Sequence, residues 1–148
     1  MITVPLYHLG NHRDPEQLAR MRVLEEAGVC VFCPAALAVR ADRLRVSPHW
    51  TVVPNEFPYT GTRLHLLLIP AEHVADLVDL SEEARSDLWP MLAWAKQEYT
   101  LTFYGLGVRN GDPAYTGGTV EHLHLHLIVG DVGDPQHRPV RLKLSSRP

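Results

Sequence analysis

The chain has 148 residues, enough for one domain with a substantial core. It is 45% hydrophobic and 21% charged, with a formal net charge of −3, which excludes a strongly basic surface for a nucleic-acid polymer. No apolar run approaches the roughly 20 residues of a membrane span, and residues 1–5 do not begin a secretory signal. We therefore expect one domain over residues 1–148, in the cytoplasm, without a membrane partner.

The first predicted helix follows an irregular lead-in, residues 1–13. Asp14 is suited to cap it, Pro15 to occupy its first position, and Gly28 to end it. The only two cysteines, Cys30 and Cys33, come next in a tight knuckle. Their spacing argues against a disulfide framework and favours a metal or redox pair in a reducing compartment.

Extended segments and a second helix make up the middle of the chain. Strands are predicted at residues 49–54 (with a start near Leu44 as the alternative), 64–69, 103–108 and 122–129, followed by an edge strand at 140–144. Ser81 caps a helix that runs to about Tyr99, and Pro90 should bend or split it. Because helices and strands do not alternate regularly, we expect an α+β fold with a mostly antiparallel sheet of about five strands and two main helices.

Two glycine-containing segments indicate close approaches. Gly105 and Gly107, inside a predicted strand, indicate that another backbone or a ligand comes near. Gly117, Gly118 and Thr119 directly precede the histidine-rich strand, and their backbone N–H groups could point at an anion.

The histidine-rich strand carries the strongest chemical signal. In an extended chain, His122, His124 and His126 line one face, and the leucines between them line the other. Three imidazoles on one face favour proton transfer or metal ligation over a structural role. A neutral imidazole can attack phosphorus while a neighbouring one moves the proton. A catalytic metal is less favoured, because no carboxylate lies within the cluster and Glu121 should face away on a strand.

The spacing of the cysteine pair does not identify the other ligands of a metal that the pair would bind. Two thiolates can bind a tetrahedral zinc, which needs two more N or S ligands. The candidates are His8, His12, His49, His65, His73, His122 and His137, and spacing does not choose among them. A redox pair and a free, functionless pair are the alternatives. Because the pair follows a helix and not a strand, metal is favoured over redox chemistry.

Together these segments resemble a known family. His122-Leu-His124-Leu-His126-Leu-Ile fits the pattern His-φ-His-φ-His-φ-φ, with φ apolar, of the histidine triad (HIT) superfamily. Residues 64–73 are similar to a strand of that family, and Asn110 with residues 117–120 resembles its loop before the triad. The resemblance extends from about Cys30 to Val129. It implies a HIT-like α+β fold, commonly homodimeric, that binds nucleotides and cleaves or transfers at the α-phosphate.

The resemblance also implies residue roles. His124 would be the nucleophile that forms a nucleotidyl intermediate, with His126 and His65 around the phosphate. Asn55, Asn110 and Thr119 match substrate-binding positions, next to Gly117 and Gly118 of the loop. The zinc-containing members bind a structural zinc with residues that match Cys30, Cys33, His73 and His122, which makes His122 structural.

Two positions bear on the reaction. Gly118 stands where many members carry Gln, so one phosphate contact is missing from the pattern. His126 stands where the transferases and some phosphorylases carry Gln, which favours hydrolysis. The leading hypothesis is a nucleotide hydrolase or phosphorylase. The alternatives are a nucleotidyltransferase related to hexose-1-phosphate uridylyltransferase and a non-catalytic nucleotide-binding protein.

Overall fold

The computed structural model describes residues 5–148, so residues 1–4 of the predicted lead-in lie outside the described part. Its strands form one antiparallel sheet in the order β1-β2-β3-β5-β4. The strands are β1 (Arg45–Val46), β2 (Trp50–Pro54), β3 (Thr62–Pro70), β4 (Gly105–Val108) and β5 (Leu125–Gly130). The α-helices are α1 (Pro15–Ala27), α2 (Pro34–Ala38), α3 (Glu82–Glu98) and α4 (Pro113–Thr116). The predicted α+β class with an antiparallel sheet is confirmed.

The two long helices begin and end where their capping residues predict. The Asp14 carboxylate accepts from the Gln17 N–H at the start of α1, and Gly28 ends α1 with a φ of 64°. Ser81 caps α3 by accepting from the Ala84 N–H. Pro90 does not split α3, which continues to Glu98, and it lies on the exposed face of the helix, where water can reach the carbonyl that loses its N–H partner. Among residues 5–148, no helix is both long enough and apolar enough to cross a bilayer.

The sheet separates a packed face from the face that carries the histidines. Alternate residues of β3 and β5, including Leu66, Leu68 and Leu127, pack with α3 in the larger core cluster. On the other face, Leu67 packs with Phe32 of the cysteine knuckle in a smaller cluster. His126 pairs in register with Leu67, so the period-two alternation places its imidazole on the knuckle side.

The predicted strand at residues 140–144 is wrong, and the fifth strand is β1 instead. Residues 138–143 pack against glycines and do not extend the sheet. A Cβ at Gly107 would collide with the Leu142 side chain, and one at Gly61 would lie 2.7 Å from the Arg138 carbonyl oxygen. The close approach at Gly107 is therefore made by a side chain of this segment, and not by the backbone or ligand that was predicted.

The lead-in is more ordered than its sequence indicates. Tyr7 is 3% exposed and forms an isolated antiparallel bridge with Val120, directly before the histidines. Asn11 is buried, and its amide donates to the carbonyl oxygens of Pro113 and Gly118. These contacts attach the start of the chain to the loop that precedes the triad.

Candidate active site and metal centre

The three histidines of the triad lie at and before the start of β5. His122 and His124 precede the strand, and His126 lies within it. Leu123 and Leu125, which alternate with them, are each 2% exposed and belong to the main core. The alternation predicted from the sequence therefore extends beyond the strand itself, because burial of the leucines fixes the direction of the imidazoles.

Four potential metal ligands converge beside the sheet. Cys30, Cys33, His73 and His122 each offer one ligand atom, and these atoms all lie within 4.8 Å of one another. The Cys33 Sγ lies 3.1 Å from the His73 Nδ1, and the Cys30 Sγ lies 3.5 Å from the His122 Nδ1. Two thiols and two imidazoles are a ligand set that tetrahedral zinc uses. The structure thus brings together the set that the family resemblance implies.

The outer nitrogens of the two imidazoles are both held by acceptors. The Pro70 carbonyl accepts from the His122 Nε2–H at 2.9 Å, and the Glu121 carboxylate accepts from the His73 Nε2–H at 2.5 Å. Each Nδ1 therefore presents a lone pair. The two Nδ1 atoms lie 3.1 Å apart, so two acceptors face each other. A cation between them would satisfy both, and such outer contacts are typical of metal-binding imidazoles.

The cysteines point to the same conclusion. Burial raises the pKa of the Cys30 thiol to about 12, so a cation is needed to stabilise its thiolate. Cys33 ends the knuckle and precedes Pro34, the first residue of α2, a short helix that the sequence did not predict. The prediction that Glu121 faces away from the imidazoles is wrong for His73. The chain bends before β5 at this point, so its carboxylate reaches His73.

His124 is oriented by a backbone carbonyl. Its Nδ1–H donates to the His122 carbonyl oxygen at 2.8 Å, so its Nε2 carries the lone pair. The ring is half-buried and lines a cavity of about 960 Å³, with its edge against the Phe32 ring at a centroid distance of 5.0 Å. This tautomer leaves the outer nitrogen available for attack on an electrophile in the cavity.

His65 and His126 form a hydrogen-bonded pair beside it. The Tyr59 backbone N–H donates to the His65 Nδ1 at 3.1 Å, so the proton of the neutral ring is on Nε2. That Nε2–H donates to the His126 Nδ1 at 2.8 Å. The His126 proton is therefore on Nε2, which makes this nitrogen a donor.

The three imidazoles are neutral at pH 7. Burial lowers the pKa values of His65 and His124 to about 4, and it also lowers the pKa of His126. The positive charges of Arg13 and Arg109 lower the pKa of His65 further. The hydrogen-bond pattern also requires neutral rings. His65 and His126 each have one nitrogen that accepts and one that carries the proton, and His124 has one that donates and one that keeps its lone pair.

The cavity has an apolar wall and a basic wall, and two carboxylates, Asp14 and Glu56, also line it. Its apolar wall includes Met21, Leu24, Val31, Phe32 and Phe57, and its basic wall includes Arg13, Arg109, Arg138, Arg141 and Lys143. An elongated ligand with a flat apolar part and an anionic part fits such a combination.

The residues predicted to bind substrate divide between the cavity and its surroundings. Asn55, Gly117 and Thr119 line the cavity, whereas Asn110 and Gly118 are not among its lining residues. The Asn55 side-chain oxygen accepts from the Phe57 N–H, and its amide nitrogen lies 3.2 Å from the His65 Nε2. The Asn110 side chain accepts from the Leu77 N–H, and the Gly117 N–H donates to the Ser146 hydroxyl.

Sequence reasoning missed three residues beside the imidazoles. The Arg109 Nη1 lies 3.4 Å from the His126 Nε2, and the Arg109 Nη2 donates to the Tyr59 hydroxyl at 3.1 Å. The Tyr59 ring stacks on His126, with their centroids 5.4 Å apart. Arg13 lies over the same tyrosine ring. Only the position of Arg109, directly before the glycine-containing loop, could have drawn attention in the sequence.

Comparison with known proteins identifies related sequences and folds. A family model described as the HIT domain matches residues 39–133, a range that excludes both cysteines. An uncharacterized HIT-like protein of Chlamydia muridarum is 31% identical over 99 residues, which cover 63% of this chain and 74% of that protein. The adenosine 5′-monophosphoramidase hnt1 of Schizosaccharomyces pombe is 33% identical over 64 residues, 43% of this chain and 47% of that protein.

Solved structures of the same family share the fold. The crystal structure of a zinc-bound histidine triad family protein from Mycobacterium smegmatis superposes with a TM-score of 0.54 at 26% identity. The match covers 74% of this chain and 82% of that protein.

Proposed function

Because the chain belongs to the HIT domain family, we propose that it is a nucleotide hydrolase or phosphorylase. The substrate is a dinucleoside polyphosphate or a nucleoside phosphoramidate, cleaved at its α-phosphate through a covalent nucleotidyl-His124 intermediate. The orientation of His124 is the observation that supports this most. Its Nδ1–H is held by the His122 carbonyl, and its Nε2 lone pair belongs to a ring that lines the cavity.

The proposed reaction has two steps. The His124 Nε2 attacks the α-phosphorus, a nitrogen–phosphorus bond forms, and the bond to the leaving group breaks. The His126 Nε2–H donates a hydrogen bond that stabilises the departing group, which takes its proton from solvent, and His65 fixes the His126 tautomer that donates. Water or inorganic phosphate then attacks the phosphorus, the nitrogen–phosphorus bond breaks to release the nucleotide and neutral His124, and the proton of the attacking group passes to solvent.

The two kinds of cavity wall support a nucleotide as the ligand. The aromatic and aliphatic side chains suit a base, and the arginines suit phosphates. We propose that Asn55 contributes to the nucleoside pocket and that Asn110, Gly117, Gly118 and Thr119 form the loop that surrounds the phosphate.

We further propose a structural zinc held by Cys30, Cys33, His73 and His122. The facing Nδ1 lone pairs and the acceptors behind both imidazoles support this assignment. Bound zinc would stabilise the two thiolates and fix the knuckle against the sheet. His122 would then position His124 through its carbonyl oxygen and take no direct part in the reaction.

A homodimer and a cytoplasmic location complete the proposal. The edge strand β4 pairs only with β5 in the sheet, and Leu106 on it is 46% exposed. Both cysteines are free, as expected in a reducing compartment.

The first experiment compares wild type with His124→Ala. Both proteins are incubated with diadenosine polyphosphates and with an adenosine 5′-phosphoramidate, and release of adenosine 5′-monophosphate is measured. Wild type should release it, and the variant should be slower by at least about 10³-fold, because no other group replaces the nucleophile.

Equal release by both proteins would contradict the proposed nucleophile. Tight nucleotide binding without release by either protein would favour a transferase or a non-catalytic binding protein. Transfer to a sugar phosphate acceptor would then separate those two.

A further inference from the structure

The Arg109 guanidinium is held on two sides and open on the third. Its Nε–H donates to the Lys143 carbonyl at 2.8 Å, and its Nη2 donates to the Tyr59 hydroxyl at 3.1 Å. These two contacts fix the plane of the guanidinium. The remaining Nη1 is directed toward the His126 Nε2 at 3.4 Å.

The Arg109–His126 contact joins two donors. Arginine has no acceptor, and the His126 Nε2 carries a proton because its Nδ1 accepts from His65. Neither group can accept a hydrogen bond from the other. An anionic oxygen beside both would accept from each, and hydrogen bonds from a guanidinium to such an oxygen are among the strong ones.

Arg13 brings a second guanidinium to the same place. Its Cζ lies 4.5 Å from the centroid of the Tyr59 ring, so Tyr59 contacts one arginine through its face and the other through its hydroxyl. Burial lowers the pKa of Arg13, and so does the nearby charge of Arg109. Asp14, the adjacent acid, accepts from the Gln17 N–H at the start of α1.

Within the described part of the chain, no carboxylate forms an ion pair with either arginine, although the nearby charge of Asp14 acts to raise the pKa of Arg13. Among residues 5–148, the ion pairs of arginine join Arg20 and Arg40 to acidic side chains, and none includes Arg13 or Arg109. Two guanidiniums beside neutral imidazoles outnumber the single carboxylate of Asp14, so positive charge is in local excess at this end of the cavity. A phosphate group is the ligand chemistry that matches it.

Gly118 makes room for Arg109. A Cβ at this glycine would lie 3.3 Å from the Arg109 Cδ and 3.4 Å from the Pro113 Cβ. A longer side chain at residue 118 would therefore compete with Arg109 for the same space. Even a Cβ at residue 118 would need the arginine to shift slightly, and no positive φ calls for glycine at this position.

We propose that Arg109 and Arg13, joined by Tyr59, form a guanidinium pair that binds the phosphate oxygens of the substrate. Arg109 binds the reacting phosphate next to His126 and fills the space that Gly118 leaves free. Arg13 binds the same phosphate or the group attached to it. This inference deepens the proposed function and rests on it for the identity of the reacting phosphate.

Calorimetric titration tests the pair without turnover. In a His124→Ala background, Kd is measured for inorganic phosphate and for adenosine 5′-monophosphate, with and without Arg109→Ala. The loss of charged hydrogen bonds should weaken binding of both ligands by about 10- to 100-fold. Arg13→Ala should weaken them less, and Arg22→Ala, which removes an exposed arginine of α1, should leave both unchanged.

Different results would contradict the guanidinium pair and the proposed hydrolase activity. Unchanged phosphate affinity in Arg109→Ala would overturn the guanidinium pair, whatever the enzyme does with nucleotides. Loss of phosphate affinity in Arg109→Ala, in a protein that releases no nucleotide, would support the pair and count against the hydrolase. If Arg109→Ala melts earlier than its parent, Tyr59→Phe, which removes one acceptor of Arg109, should still weaken phosphate binding by several-fold.

An exchange of side chains tests the shared space. Gly118→Gln alone should weaken phosphate binding, because the new side chain displaces Arg109. Arg109→Ala with Gly118→Gln should bind phosphate about 10-fold more tightly than Arg109→Ala alone, since the amide can donate from the vacated space. Additive losses in the double variant would contradict the proposal that both residues serve one position.

Discussion

At the scale of the residue, the tautomers of His65, His122 and His124 are each set by a neighbour with only one hydrogen-bonding role, and His65 in turn sets that of His126. The Pro70 and His122 carbonyls can only accept, and the Tyr59 N–H can only donate. As a result, lone pairs face each other between His73 and His122, and donors face each other between His126 and Arg109. Histidine side chains therefore line one site that suits a cation, between His73 and His122, and another that suits an anion, between His126 and Arg109.

The low pKa of His65 predicts acid-sensitive stability. Its pKa falls from an ordinary 6.5 to about 4 on folding, so between these values the unfolded chain binds more protons. Stability is lost as pH falls from about 6.5 toward about 4, by roughly 2 kcal/mol at pH 5 from this residue. Denaturant unfolding of wild type and His65→Gln at pH 7 and pH 5 measures this.

In His65→Gln, the loss of unfolding free energy between the two pH values should be smaller by about that amount. An identical loss in both proteins would show that His65 is not held neutral. The lowered pKa values also imply that activity persists below the ordinary imidazole pKa and declines only nearer pH 4.

At the scale of the element, the knuckle between α1 and α2 has little regular structure of its own. The Tyr7 hydroxyl donates to the Val29 carbonyl at 2.6 Å and accepts from the Val31 N–H at 2.9 Å. Phe32 packs on the sheet. A zinc ion would join the knuckle to His73, after β3, and to His122, before β5. The strand pairing of the sheet does not include the knuckle.

Removing zinc should therefore destabilise the protein. A strong chelator should lower Tm by more than about 10 °C, since losing about 4 kcal/mol shifts the Tm of a protein of this size by that amount. Elemental analysis should give about one zinc per chain in wild type and none in Cys33→Ala. His49→Ala, which changes a histidine outside the cluster, serves as the control and should retain zinc. Unchanged melting with chelator would remove the zinc proposal.

At the scale of the whole molecule, segments outside the matched family range complete the cavity. Asn11 accepts from the Lys143 Nζ at 2.7 Å and donates to the Gly118 carbonyl at 2.9 Å, so it joins both flanks to the central loop. Arg13, Arg141 and Lys143 all line the cavity and lie outside residues 39–133. These contacts support the proposal that residues 1–148 form one domain.

The edge of the sheet predicts how two copies would associate. Phe103, Tyr104 and Leu106 are 50%, 39% and 46% exposed on and before β4, an apolar stretch at an unpaired edge. Leu106→Glu should convert a dimer into a monomer in light-scattering measurements, because it would bury like charges at the shared edge. Val23→Glu, at an exposed site on α1, should remain dimeric. A monomeric wild type would contradict the proposal.

The sequence by itself determined the features that depend on neighbours along the chain. The limits of α1 and α3 follow from caps at Asp14, Gly28 and Ser81, and the alternation of histidine and leucine follows from the two-residue period of an extended chain. The family resemblance also follows from local patterns, because each of its motifs lies within a short stretch of the chain.

Only the tertiary structure decided which distant residues meet. Spacing left seven histidines as partners for the cysteines, and the fold brought His73 and His122 to them. It placed Arg13 and Arg109 on Tyr59, and it packed residues 140–144 against glycines instead of pairing them as a strand. Such contacts join segments far apart in the chain. Local periodicity and capping preferences describe only neighbouring residues, so they cannot predict these contacts, which form only when the chain has folded.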